Sequence, residues 1–273
     1  MFGNAKLEDI LFEVSERPVF VPEDIKEDGT FSKVTQFEGK KALMREDTGQ
    51  QLGIVGENWT PVLNQRVFDN FDEICKKSGI HYDVGECLSK SDGAKTSIEI
   101  IFPDMKIETG KGDTMELRGY LNNGFDGMTS VGLEMGFFRY WCSNGAIVGS
   151  KDYQFKFKHT NSAEGRLIDS FQFYMENQFA KTKTFVDKLS STHISDEQVK
   201  KELEEQDLVA YKKYEDDLMN AYETEKKDSP QTLWLMYNIY TRVITHALQV
   251  ESFRKLSMLN ALTKRAKNVW LNN

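Results

Sequence analysis

The chain has 273 residues, 39% apolar and 29% charged, with a net charge of −8. That balance fits a globular protein of one large or two ordinary domains and excludes collagen-like and disordered chains. The acidic total argues against nonspecific duplex binding, though it leaves room for a local basic face.

No apolar run approaches the roughly 20 residues a membrane span needs, and the first residues lack the pattern of a signal peptide. Cys75, Cys87 and Cys142 form an odd, widely spaced set without a C-x-x-C pair, so neither a disulfide framework nor a zinc site is expected. A cytoplasmic protein with no membrane contact is the expectation.

In chain order, LFEVSERPVFVP predicts a short helical pattern broken at Pro18. KALMRED and QQLGIVG flank Thr48-Gly49, which predicts a hairpin. WTPV carries a proline and cannot be a central strand. NQRVFDNFDEICKKSG predicts a helix over 64–78, with Asn64 as N-cap, Val67, Phe68, Phe71, Ile74 and Cys75 at helical spacing, and Gly79 as terminator. The segments HYDVGECLS, TSIEIIFP, MELRGYLNN, MTSVGLEMG and FFRYWCSNGAIVG are short and punctuated by Gly, Asn or Asp, and predict an antiparallel sheet. Asp104, Glu108, Asp113 and Glu116 read as loop-like acids around a Gly-Lys-Gly turn, most simply a solvated hairpin.

Beyond residue 160 the pattern is helical. SAEGRLIDSFQFYMENQFAKTKTFVDKLS places Leu167, Phe171, Tyr174, Met175 and Phe179 on one face. Ser195 with Gln198 predicts a capping box, and Pro230 is expected in the first turn of the next helix. The predicted fold is α+β: an antiparallel sheet with a crossing helix, then a helical C-terminal part. The parts are 1–160, mostly β, and 161–273, helical, as two domains or one continuous domain.

KDYQFKFKH, at 151–159, puts Tyr153, Phe155, Phe157 and His159 on one face of a strand and Lys156 and Lys158 on the other. Cations and rings together suit a single-strand binder. The same alternation is also the ordinary signature of a half-buried strand. FFRYWCSNG offers Arg139, Trp141 and Cys142; a nucleophilic Cys142 would need a base such as His159, and the plain alternative is a small buried thiol. The histidines are scattered, and Thr109-Gly110-Lys111-Gly112 completes no Walker motif, so no metal, cofactor or catalytic residue is assigned. Near the C-terminus Arg254, Lys255, Lys264, Arg265 and Lys267 make a basic helix.

Four blocks carry a family resemblance: MREDTGQQLGIVGENWTPVLNQRVF at 44–68, NNGFDGMTS at 122–130, FRYWCSNG at 138–145 and FKFKHTNSAEGRL at 155–167. TLWLMYNIYTRVITHA, at 232–247, is also similar to the family's C-terminal helix. In order and spacing they resemble a phage- and plasmid-borne family known only as domain of unknown function 932. The family often has a His before its Asp-Gly, where this chain has Phe125. The resemblance implies a mobile-element, phage origin and no established reaction. The helix–strands–helix order over 64–190 is also similar to the core of phage and eukaryotic single-strand annealing proteins, an analogy of fold alone.

The expected function is therefore phage-encoded nucleic-acid binding, as an oligomeric single-strand annealing or recombination accessory factor. Arg139, Lys156, Lys158, Lys264 and Arg265 would contact phosphates, and Trp141 or Tyr153 would stack bases. The alternative is a non-catalytic phage protein that binds a host or phage protein. A homo-oligomer is expected in the host cytoplasm, with single-stranded nucleic acid as partner.

Overall fold

The computed structural model describes residues 3–110, 113–139, 154–205, 211–248, 258 and 261–271. It is α+β, with two antiparallel sheets and helices concentrated in the C-terminal part. Strands β1 (Gly3–Ala5), β5 (Asp83–Lys90), β6 (Lys95–Gly110), β7 (Asp113–Gly124), β8 (Val131–Arg139) and β9 (Gln154–Phe157) form one sheet in that order. Strands β2 (Val14–Glu23), β3 (Lys33–Arg45) and β4 (Gln51–Gly56) form a second.

Contacts divide the chain into two compact units. The first gathers residues 1–100, 120–134 and 155–172; the second gathers the described residues of 101–119, 135–154 and 173–273.

In the first unit, the Thr48-Gly49 hairpin forms as expected. Gly49 has φ +68°, and its N–H donates to the Arg45 carbonyl at 2.8 Å. Pro18, however, breaks nothing. A short helix α1 (Leu7–Ile10) precedes it, and β2 runs through both Pro18 and Pro22. β2 is an edge strand with a register shift between Pro18 and Phe20, and edges and bulges are where a sheet tolerates a residue without an N–H.

Helix α2 (Asn64–Ser78) ends at Gly79 in the left-handed region, with φ +64° and its N–H on the Lys76 carbonyl at 3.3 Å. Its N-cap is Leu63, not Asn64, because the buried Asn64 side chain is committed inward: Nδ2 donates to the Ile10 carbonyl and Thr96 Oγ1, and Oδ1, the atom a cap would use, accepts from Asn123 Nδ2. Phe12, Leu43, Leu52, Val55, Ala94 and Phe125 make one apolar core, with Trp59 packed against it. Phe71 of α2 meets Phe171 of helix α3 (Ala163–Phe173) at 4.8 Å between ring centroids.

In the second unit, the acids read as loop residues at 104–116 lie on β6 and β7. Glu116 is buried and accepts Arg118 at 3.4 Å. A π-turn (Tyr174–Gln178) leads from α3 into α4 (Phe179–Ser191). Helix α5 (Asp196–Glu205) opens on the expected capping box: Gln198 N–H donates to Ser195 Oγ at 3.2 Å, and Ser195 N–H to Gln198 Oε1 at 2.8 Å. Helix α6 (Tyr211–Asp228) buries Leu218 and Tyr222. Helix α7 (Leu233–Arg242) starts after Thr232, so Pro230 falls before the helix rather than in its first turn. Nine successive residues of α7, Leu233 to Thr241, are buried. A helix apolar on every side sits inside a core, and here Trp234 stacks on Tyr237 with centroids 5.6 Å apart. Among the described residues no helix is long and apolar enough to cross a membrane.

Candidate binding cleft in the first unit

The sequence blocks at 44–68, 122–130 and 155–167 are far apart in the chain and meet in one place. Asn123 donates from Nδ2 to the Val62 carbonyl at 2.7 Å and to Asn64 Oδ1 at 2.8 Å. Thr60 Oγ1 donates to Asn161 Oδ1 at 2.8 Å. Trp59 stacks on His159 with centroids 4.2 Å apart and 18° between planes. Gly53 lies so close to the turn after β7 that a Cβ there would overlap the Phe125 carbonyl oxygen and sit 2.9 Å from Asp126 Cα. Backbone cannot yield as a side chain does. Gly53→Ala is therefore expected to destabilise the protein by about 1–3 kcal/mol, the usual range for overpacking. Equal urea midpoints for the variant and the parent would refute that close approach.

Beside this junction a cleft of about 520 Å³ opens between the starts of β6 and β8, the end of β7 and β9. Asn122, Thr129 and Ser130 supply amide and hydroxyl groups to its lining, Met128 an exposed apolar edge, and Lys95 and Lys156 the cations. Each lysine has a counter-ion: Lys95 meets Asp126 at 2.9 Å, and Lys156 meets Glu134 at 3.6 Å. Burial alone would raise the Asp126 carboxyl. The Lys95 ammonium, the Thr129 and Met128 N–H groups and the Thr129 hydroxyl outweigh it and hold the carboxyl down at about 2.

His159 is 4% exposed, and neither ring nitrogen makes a hydrogen bond. Burial pushes its pKa down to about 4, although the nearby backbone groups of Thr129 and Thr60 and the Asp126 carboxylate favour the cation. At neutral pH it is an uncharged ring packed flat on the Trp59 indole.

Lys156 and Lys158 are exposed in the first unit, Lys156 on β9 and Lys158 just beyond it. Lys158 makes no ion pair with a described residue. Phe155 and Phe157 are half-buried, and the Arg166 guanidinium covers the Phe157 ring at 4.4 Å. Lys264 and Arg265 belong to the second unit. Lys264 is exposed, whereas Arg265 Nε donates to Glu202 Oε1 at 2.7 Å, an oxygen that also accepts Trp270 Nε1 at 2.7 Å. Arg139 closes β8, and its side chain lies outside the described residues, as do Trp141, Cys142 and Tyr153. Sequence reasoning on charge and aromatics missed Lys95, Asn122, Thr129, Ser130 and Glu134. The signal for several of them was the block NNGFDGMTS, read only for its resemblance.

No group of three or more His, Cys, Asp or Glu side chains among the described residues could hold a metal. In the second unit a recess of about 320 Å³ lies beside α6 and α7, where Arg242 reaches the buried Glu225 carboxylate at 3.1 Å.

Fold and cleft together define an α+β protein whose segments 44–68, 122–130 and 155–167 build one polar, lysine-edged junction. The chain belongs to the family described as Domain of unknown function (DUF932), whose family model matches residues 51–270. No curated protein and no solved structure matches. Phe125 is fully buried in the apolar core 5.6 Å from Phe12, and the neighbouring Asp126 has Lys95 as its partner.

Proposed function

We propose that the protein is a phage-derived nucleic-acid-binding factor of the annealing or recombination-accessory kind, which holds single strands at the first unit's cleft. One observation carries the reading: Lys95 and Lys156 stand in a lining of neutral amides and hydroxyls, and the exposed Lys158, with no ion pair among the described residues, follows two residues after Lys156. Lysines suit phosphates, and amides and hydroxyls suit sugar and base edges. The Lys156–Glu134 pair is long and exposed, and such pairs contribute less than about 1 kcal/mol, so Lys156 is readily transferred to a phosphate. Exposed Met128 offers an apolar platform at the same edge. Arg265, satisfied by Glu202, is the weakest of the cations expected from the sequence.

The test is fluorescence anisotropy of labelled single-stranded DNA, single-stranded RNA and duplex DNA at low and near-physiological salt. Single-strand binding that weakens with salt is expected. Lys156→Glu with Lys158→Glu should weaken it at least tenfold and reduce the logarithmic salt slope by about 1.4, the value for two lost contacts to a single strand. Absence of binding at low salt would overturn the reading. A protein-partner role, the second reading, is favoured by a different surface: the exposed apolar side chains on β2 and β3.

A further inference from the structure

Beyond the three-stranded base, β2 and β3 run on as a two-stranded arm. β4 pairs β3 only over Lys40–Met44, while β2 and β3 stay paired out to Glu23 and Lys33. Every residue from 24 to 40 is exposed. The tip is a formed turn, in which Gly29 N–H donates to the Lys26 carbonyl at 2.9 Å and Lys26 N–H to the Thr30 carbonyl at 2.8 Å.

Both faces of this arm carry apolar side chains. Register puts Phe20 opposite Gln36 and Pro22 opposite Val34 on one face; Val21 opposite Thr35, with Phe37 one step along, lies on the other. Phe20, Phe31 and Phe37 are 53%, 55% and 47% exposed. A lone two-stranded ribbon is marginally stable in water, and clustered exposed aromatics mark a contact surface. The arm precedes the segment matched by the family model.

Its charges say what covers it. The distal half, residues 19–36, carries Glu23, Asp24, Glu27 and Asp28 against Lys26 and Lys33, a net −2. The proximal strands, 14–18 and 37–45, carry Arg17, Lys40, Lys41 and Arg45 against Glu16 and Glu38, a net +2. Lys41 is held by Glu16 at 2.8 Å and Arg45 by Asp47 at 2.7 Å, while Arg17 meets Glu46 only in a long, exposed pair at 3.7 Å, so Arg17 and Lys40 are the base cations most readily shared with a second copy. An acidic tip repels nucleic acid. Pro18 and Pro22 remove two donors from β2, the edge strand, and so disfavour addition of a further strand there. What fits is the same arm reversed: tip over base, face against face, about a two-fold axis.

We infer that the β2–β3 arm is a self-association element, by which two copies of this chain dimerise through antiparallel, face-to-face packing of their arms. The inference is independent of nucleic-acid binding at the cleft.

The test is sedimentation equilibrium of the full chain at micromolar concentration and moderate salt. The parent is expected to be dimeric, and Phe20→Asp with Phe37→Asp monomeric with an unchanged near-ultraviolet circular dichroism spectrum. Charge exchange controls against a folding defect. Arg17→Glu with Lys40→Glu should weaken the dimer at least tenfold, and so should Glu27→Lys with Asp28→Lys. Mixing these two charge variants should restore a dimer containing one copy of each. A monomeric parent, a dimer indifferent to the Phe substitutions, or a mixture no tighter than its components would overturn the inference.

Discussion

Asn123→Ala is expected to lower the stability of the protein by about 3 kcal/mol or more, because it strands several buried polar groups at once. Asn123 is buried at the end of β7, and its side chain is saturated: Nδ2 serves the Val62 carbonyl and Asn64 Oδ1, while Oδ1 accepts the Gly124 N–H at 2.9 Å. Asn64 passes the connection on to the Ile10 carbonyl at 2.8 Å and Thr96 Oγ1 at 3.0 Å. Removing Asn123 leaves a carbonyl, an amide oxygen and an N–H without this partner at a buried position in the wall of the cleft. Each such group costs about 1–3 kcal/mol when unsatisfied. At about 2–4 °C per kcal/mol for chains near this size, the melting temperature should fall by at least 6 °C. The neighbouring Asn122→Ala is the control. Strand alternation turns Asn122 to the half-buried cleft side, and its loss should move the melt by about 2 °C or less. Equal melts for the two alanine variants would refute the network as a structural keystone of the cleft.

The features legible in the sequence were those whose chemistry is local. Thr48-Gly49, Gly79 and the Ser195–Gln198 pair each act within about four residues, through a left-handed φ or a cap, and neighbouring residues define them. The antiparallel strands and the crossing helix were legible from periodicity for the same reason. What failed depended on distant partners. Pro18 looks like a breaker until β2 is known to be an edge strand. Asn64 looks like an N-cap until Ile10, Thr96 and Asn123 claim its side chain. Asp104 and Glu108 look like loop acids because β6 extends to Gly110, far past its apolar stretch. Of the cleft, Lys156 and Lys158 were legible as an exposed alternating face. Lys95, Asn122 and Glu134 were not, because three segments widely separated in the chain bring them together. The half-buried Phe155 and Phe157 show why alternation alone does not assign rings to a ligand: one of them already has an arginine over it.

His159 should make stability depend on pH mainly above the window of the depressed carboxylates. Its ordinary pKa of 6.5 is pushed down to about 4 by burial, so the native ring stays neutral where the unfolded chain takes up a proton. Stability attributable to this ring is therefore full above about pH 6.5, falls as the pH drops toward 4, and then levels. The whole drop is on the order of 3 kcal/mol, with about 2 kcal/mol already lost at pH 5. The carboxylates held below their usual range, Asp126 at about 2 together with Asp47, Asp72 and Asp196, act in the opposite position on the scale. Their contribution is present above their unfolded value of 3.8 and is lost only as the pH falls further. Urea unfolding at pH 7.5 and pH 5.0 separates the two classes. The parent should lose about 2 kcal/mol between them, whereas His159→Gln should lose much less despite a lower starting stability. The ring also anchors the chain one residue after Lys158, flat against Trp59. Charging it should loosen the segment that presents Lys156 and Lys158, so single-strand affinity at pH 5 should rise less in the parent than in His159→Gln. Identical pH dependence in the two proteins would mean that the imidazole is not buried as a neutral ring.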